Sequence, residues 1–410
     1  MGSTTRKTQV AGQKPVSAIK PNTTAGAVIP LKKYLEKYAL APSTSPPVSA
    51  DKLIPPSGTT LPPNVKSTHV PISLWPLTNN GLSSFYAGVF DDEMHFSASV
   101  LKVAALFAAG QFHAEATAFA QGYTDWNKFV TDFNADLKTR INPTTVDSHI
   151  LSAGFFLLPQ TQTILKQSAF PTIAFADNAG GFQERAGRMI VESDDPSAAI
   201  CIRALGYGYI NMALRQANFY SSFTSPGIWL AGTYDKADKL KKVRIPCVND
   251  HPDAQVTTSR LMCLMTAMIR LGQLPQNDAG ANALMQGWLH EPKSGPDATG
   301  PWLGAGRDNT IAPKFTIVHD KIGFAGLGDD EVPNVYSEAL IIKWTTAAQL
   351  AAFNKTIDPT DTHPEIHLSE EIAVCWQNYL WPLMPSPRNF DGIIDVINNS
   401  ISDFLQQTPT

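Results

Sequence analysis

Residues 100–109 are apolar at every position except Lys102. A helix that is apolar all round is stable only when it is buried on every side, so this stretch must run through the middle of a large hydrophobic body. The chain has the means to build one. It has 410 residues, of which 43% are hydrophobic and 17% charged, which excludes a chain disordered throughout. The lysine is the anomaly. An ammonium in such a helix either snorkels to solvent or stays inside, where burial lowers its pKa and makes a neutral amine accessible. Ser99 stands three residues before it, at the start of the helix. That spacing puts both side chains on one face, a turn apart, with the serine where free backbone N–H groups favour an oxyanion. A serine beside a neutral amine is a nucleophile with its base. The bland alternative is a capping serine and a solvent-seeking lysine. S-x-x-K also occurs at Ser17 and Lys20 and at Ser49 and Lys52, but within a proline-rich segment with no helical pattern around it.

That segment, residues 1–69, reads as a proline-rich basic arm. Through residue 70 the chain holds 10 of its 31 prolines, nine Lys/Arg and two Asp/Glu, a local charge of +7 against −11 for the remainder. Such an arm is expected to lie along the acidic body, with one short helix where Leu31, Tyr34, Leu35 and Tyr38 fall at i, i+3, i+4 and i+7. The net charge of −4 and pI of 6.1 argue against a nucleic-acid binder. The longest apolar runs, about ten residues, fall short of the ~20 that a spanning helix needs. Residues 1–50 contain no apolar signal core, so the chain is expected to be cytoplasmic, or periplasmic or secreted in a processed form. Cys201, Cys247, Cys263 and Cys375 are widely spaced and form no C-x-x-C, so neither a disulfide scaffold nor a zinc ribbon is expected.

Strands are expected over 70–77 and 84–90, joined by a turn at 78–81. Trp126, Phe129, Val130, Phe133 and Leu137 mark one face of a helix. Pro196, after Asp194 and Asp195, opens another helix over 197–220. Thr257 or Thr258 caps a third that runs to Leu271. Residues 314–327 and 334–344 read as a hairpin, and amphipathic helices are expected over 368–383 and 391–405. This order predicts an α+β fold. Residues 70–110 and 305–410 would form an α/β lobe, an antiparallel sheet from both chain ends with terminal helices, and 111–304 an inserted helical lobe. The cleft between lobes is the expected site.

The sequence lacks G-x-S-x-G, G-x-x-x-x-G-K-[ST], H-E-x-x-H and G-x-G-x-x-G after a strand. His113-Ala114-Glu115 has half of a zinc-deaminase spacing, but Pro246-Cys247 does not continue as C-x-x-C, so a surface His and Glu is the better reading. Two further elements remain. Tyr209-Ile210-Asn211 is the one Y-x-N of the chain, and no S-x-N occurs. A tyrosine over a cleft can pass a proton to a leaving group, and an asparagine amide can hold a substrate carbonyl. Helix packing is the alternative. For a basic residue followed by a glycine on a strand, Lys293-Ser294-Gly295 competes with Lys321-Ile322-Gly323. The first is followed by Pro296, which has no N–H to offer an oxyanion. The second lies in an apolar strand and is followed by Phe324, which has one. Gly323 would let substrate approach the strand edge.

These elements together resemble the penicillin-recognising serine enzymes: serine β-lactamases, D-alanyl-D-alanine carboxypeptidases and transpeptidases, and related esterases. The family pattern is S-x-x-K, [SY]-x-N and K-[ST]-G in chain order, and Ser99, Tyr209 and Lys321 keep that order. The resemblance spans roughly residues 70–405. Residues 96–105 look like the family's nucleophile helix, and His319-Asp320-Lys321-Ile322-Gly323 looks like its D-K-[ST]-G strand. The resemblance implies a β-lactamase/transpeptidase-like fold and an acyl-enzyme mechanism without metal or organic cofactor. By it Ser99 is the nucleophile, and Lys102 the base, shared with Tyr209. Asn211 orients substrate, and Lys321 supplies positive potential. The N–H groups of Ser99 and Phe324 form the oxyanion hole.

Three departures narrow the expectation. Ile322 replaces the Thr or Ser whose hydroxyl helps hold a substrate carboxylate. No glutamate lies between Glu192 and Glu291, so deacylation would fall to Tyr209, Lys102, Asp250 or Asp253. Tyr rather than Ser heads the middle motif. The expected function is therefore a serine hydrolase acting on a small amide, peptide or ester. The alternatives are a D-Ala-D-Ala carboxypeptidase, transpeptidase or β-lactamase, and a non-catalytic binding protein on the same fold.

Overall fold

The computed structural model describes residues 30–40, 53–152, 157–221, 225–232, 234, 243, 245, 247–249, 255–274, 278–290, 303, 314–327, 333–358, 360–362, 366–384 and 390–406. Helix α1 (Leu31–Ala39) lies in the N-terminal arm. β1 (Ile72–Thr78), β2 (Gly81–Leu82), β3 (Ala87–Val89) and β4 (His95–Phe96) follow, then a 3-10 turn at Ala98–Leu101 and the long helix α2 (Lys102–Ala120). The middle is mainly helical: α3 (Trp126–Arg140), α4 (Ser148–Leu151), α5 (Thr161–Ile164), α6 (Phe182–Val191), α7 (Asp195–Leu205), α8 (Tyr207–Gln216), α9 (Ser259–Arg270) and α10 (Ala279–His290). Two short ladders interrupt it, β5 (Leu165–Gln167) with β6 (Ile173–Phe175), and β7 (Trp229–Leu230) with β8 (Gln255–Thr257). β9 (Thr316–Gly326), β10 (Asn334–Lys343), α11 (Ala347–Ile357), β11 (Leu368–Trp381) and α12 (Asp391–Leu405) complete the described chain.

The main sheet has the order β2-β1-β11-β10-β9, with β3 also paired to β1, and its ladders are antiparallel. Both ends of the chain therefore build one sheet, and the fold is α+β. Both faces of that sheet are covered. Along β11, Ile372, Val374 and Trp376 enter the apolar cluster shared with α1 and α12, while Ala373 and Cys375 enter the one shared with α2, α8 and α9. The arm's helix belongs to the first cluster: Leu31 and Leu35 are fully buried, and Lys37 and Tyr38 reach the Asp403 carboxylate at 2.7 and 2.6 Å.

Two expected elements are corrected. Residues 368–383 do not form a helix; Leu368–Trp381 are the long central strand β11. Its polar residues come in blocks, Ser369-Glu370-Glu371 and Gln377-Asn378, so the alternation that identifies strands is lost. The single helix over 197–220 is divided at Gly206, whose φ of 78° no helix accommodates. A separate helix, α8, follows over Tyr207–Gln216. The caps follow the sequence more closely. Asp125 accepts from Lys128 N at 2.7 Å and Thr258 from Leu261 N at 3.2 Å.

Candidate active site

The turn that carries Ser99 is fixed from both sides. β4 pairs with β8, with His95 opposite Thr257 and Phe96 opposite Val256. The chain then leaves the ladder through Ala98 at φ 48°, in the left-handed region that few non-glycine residues occupy. Tyr234 donates its hydroxyl to the Ala98 carbonyl at 3.0 Å. Within the turn, Ala98, Val100 and Leu101 are buried and Ser99 is half-buried, so the serine is the turn residue that reaches solvent.

Lys102 opens α2 and is completely buried. It does not snorkel. Its Nζ donates to the Ser193 carbonyl at 2.6 Å, to Asp195 Oδ1 at 2.5 Å and, at 3.4 Å, to Ser193 Oγ. It also lies 4.5 Å from the centre of the Tyr234 ring, a cation–π contact. Burial lowers the Lys102 pKa below the ordinary lysine value, against the opposing pull of the Asp195 and Asp194 carboxylates. An ammonium has three protons, and these acceptors take them. Among the described residues the Ser99 hydroxyl makes no hydrogen bond.

Lys321, on the edge strand β9, comes to the same place. It is 2% exposed, and its Nζ donates to Ser193 Oγ at 2.7 Å and to the Ile322 carbonyl at 2.9 Å. Burial and the neighbouring Lys102 cation push its pKa well down, while Asp320 and Asp195 pull it back. Gly323 explains why the strand can lie so close. A Cβ there would meet Ser97 O at 2.5 Å and Val100 N at 2.9 Å. The close approach expected for substrate is made by the protein's own Ser99 turn. Phe324 follows, 47% exposed, with its ring centre 4.9 Å from that of Tyr336.

Tyr209 and Asn211 do not join this cluster. The Tyr209 ring lies edge-on to Phe112, with centres 5.2 Å apart. Phe112 is ten residues along α2 from Lys102, or about 15 Å at the helical rise. The Tyr209 hydroxyl is fully buried and makes no hydrogen bond among the described residues. Burial, and after it the nearby Glu115 carboxylate, raise its pKa well above the ordinary tyrosine value. Asn211 is buried and donates to the carbonyls of Tyr207 at 2.8 Å and Leu230 at 2.9 Å, fastening α8 to β7. The roles expected for both residues are corrected to packing. The break at Gly206 turns α8 against the middle of α2 rather than its start.

Ser193 and Asp195 occupy the place expected for the middle motif. Ser193, at φ 55°, precedes Asp194, which caps α7 by accepting from Ser197 N at 2.9 Å. The loop into α7 thereby delivers the Ser193 carbonyl and hydroxyl and the Asp195 carboxylate to Lys102. A search for S-x-N misses Ser193-Asp194-Asp195 by one side-chain atom type, oxygen for nitrogen, and a capping reading of Asp194 explains the same residues without a site. Tyr234 carries no motif and was not legible.

Other sequence candidates fall elsewhere. His113 Nδ1 lies 2.5 Å from Asp278 Oδ2, and Glu115 pairs with Arg140 at 2.8 Å. No group of three or more metal-ligating side chains occurs among the described residues. No described helix is long and apolar enough to cross a membrane. All four cysteines are free thiols. Asp250, Asp253, Lys293, Ser294 and Gly295 lie outside the described residues.

No family model matches the chain, and no curated protein matches it in sequence. Among solved structures, the class A β-lactamase from Mycobacterium abscessus is 14% identical, with 81% of this chain matched to 93% of that one at a TM-score of 0.41. The β-lactamase from Desulfarculus baarsii DSM 2075 is also 14% identical, with coverages of 82% and 92% and a TM-score of 0.43. The TLA-1 extended-spectrum β-lactamase is 12% identical, with coverages of 92% and 98% and a TM-score of 0.48. These are what the chain is similar to in fold.

Proposed function

We propose that the protein is a serine hydrolase of the penicillin-recognising type, which cleaves a small amide, peptide or ester through an acyl-enzyme on Ser99. One observation carries the reading. The Ser193 hydroxyl is held between the amines of Lys321 at 2.7 Å and Lys102 at 3.4 Å, and Lys102 lies one turn after a serine that reaches solvent. A hydroxyl that accepts from two amines keeps its own proton to donate.

In the proposed reaction the substrate carbonyl sits at Ser99. Lys102, as the neutral amine, takes the Ser99 proton while the Oγ–C bond forms. The N–H groups of Ser99 and Phe324 receive the oxyanion; removing one such donor costs on the order of 3 kcal/mol in the barrier. Ser193 then gives its proton to the leaving nitrogen or oxygen as the C–N or C–O bond breaks, and regains one from Lys102. Water reverses these steps and frees Ser99. Lys321 holds Ser193 in place. Ser193 thus takes the proton-transfer role that the sequence suggested for Tyr209.

The test is reaction with a serine-directed phosphonate followed by peptide mass mapping. One adduct on the Ser99 peptide, absent in Ser99→Ala, is expected. Labelling that persists in that variant rejects the assignment.

A second reading, a non-catalytic binding protein on this fold, draws on one observation. The Lys102 protons are committed to Ser193 and Asp195, and the Ser99 hydroxyl has no hydrogen bond among the described residues. Catalytic hydrogen bonds often tighten only when substrate is bound, which is why the hydrolase stands first. A folded wild-type protein that takes no phosphonate would reverse the order.

A further inference from the structure

We infer that the substrate carries a protonated amine close to its scissile carbonyl, and that the Asp195 carboxylate receives it. This deepens the hydrolase reading and rests on it. Lys102 starts one turn from Ser99 and ends on Asp195, so a single side chain ties the two together. Asp195 stands in the first turn of α7 with its side chain 55% exposed. Its Oδ1 takes the Lys102 ammonium at 2.5 Å. It makes no other hydrogen bond among the described residues. The other oxygen therefore faces solvent with lone pairs only. An asparagine there would offer a donor and an acceptor. An ionised aspartate only accepts, so it attracts an N–H cation and repels a carboxylate.

Two further observations point the same way. Ile322, next to Lys321 on β9, packs its side chain into the apolar cluster of the sheet and offers no hydroxyl to an anionic group. Among the described residues the site's two cations are buried, Lys102 at 0% and Lys321 at 2% exposed. Lys102 donates to Ser193 and Asp195, and Lys321 to Ser193 and the Ile322 carbonyl. Neither stands in solvent to meet an incoming anion. Among the described residues the exposed charge that Lys102 links to Ser99 is negative, that of Asp195.

The experiment uses three chromogenic esters with one acyl skeleton, bearing an amine, a methyl or a carboxylate beside the carbonyl. Active enzyme is counted by phosphonate titration. The amine ester should exceed the methyl ester in kcat/KM by about tenfold, with the carboxylate ester slowest, and the preference should shrink as salt screens an exposed contact. In Asp195→Asn the amine-to-methyl ratio should fall to about one. Any change in Lys102 basicity acts on both esters alike and cancels in that ratio. Should the variant fail to fold, the salt dependence of the wild-type ratio gives the same reading. A ratio near one in the wild type, or one unchanged by Asp195→Asn, overturns the inference while phosphonate labelling leaves the hydrolase standing. Absence of both labelling and turnover removes the hydrolase reading and this inference with it.

Discussion

Two groups of polar side chains gather along helix α2, roughly 20 Å apart at the helical rise. At its start, Lys102 meets Ser193, Asp195 and Lys321. Thirteen residues on, Glu115 pairs with Arg140 beside the Tyr209 ring. Both groups hold side chains whose pKa values burial has displaced. The difference lies in what surrounds the protons. In the second group Arg140 pairs with Glu115 and Asp136, and the Tyr209 hydroxyl is buried without a hydrogen bond among the described residues. The first ends beside a half-buried serine and contains a hydroxyl that accepts from two amines. A displaced pKa marks burial. Chemistry additionally needs a transferable proton and an opening.

The largest expected effect separates the two groups directly. Ser193→Ala should lower kcat/KM, counted per folded molecule, by roughly 10²- to 10⁴-fold, and should also lower the unfolding midpoint because buried Lys321 loses an acceptor. Turnover at the wild-type rate would erase the distinction. The pH profile follows from Lys102. Only its neutral form takes a proton, so kcat/KM should rise with pH through an inflection below the ordinary lysine value of 10.5. The Asp195 carboxylate raises that pKa, so Asp195→Asn should move the inflection to lower pH; a move upward contradicts the assignment.

A stability measurement sharpens the picture of β9. Burial, and after it the Arg270 cation, hold His319 down to about 4 from 6.5. A base with a depressed folded pKa leaves the fold at full stability above 6.5 and weakens it as pH falls toward 4. The shift corresponds to about 3 kcal/mol. Urea titrations of wild type and His319→Gln at pH 7.5 and pH 4 should show the wild type losing about that much more on acidification. Equal losses would mean that the strand carrying Lys321 is hydrated. The smallest effect has the opposite sign. Tyr209→Phe removes a buried hydroxyl that makes no hydrogen bond among the described residues. It should leave activity within about twofold and stability unchanged or higher by ~1 kcal/mol. A large activity loss would return Tyr209 to the reaction.

The legible parts of the molecule were those where sequence conflicts with burial. A lysine in an apolar helix and another in an apolar strand are costly unless partnered, and Lys102 and Lys321 converge on Ser193. The hairpin of β9 and β10 and the helix α12 were readable from their periods. β11 was not, because its polar residues fall in two blocks seven positions apart, 370–371 and 377–378, which imitates one face of a helix. Ser193 was not, because its part depends on a left-handed φ and a loop path that adjacent residues do not encode. Tyr209 drew attention through motif spacing alone, and spacing says nothing of which side of α2 a later helix covers.

The most direct test is rapid mixing of the protein with an activated ester, followed by acid quench and peptide mass mapping. The account predicts a burst of leaving group equal to the active enzyme concentration, an acyl group on the peptide containing Ser99, and loss of both in Ser99→Ala. A linear release with no acylated peptide, or a burst that survives in Ser99→Ala, would contradict it.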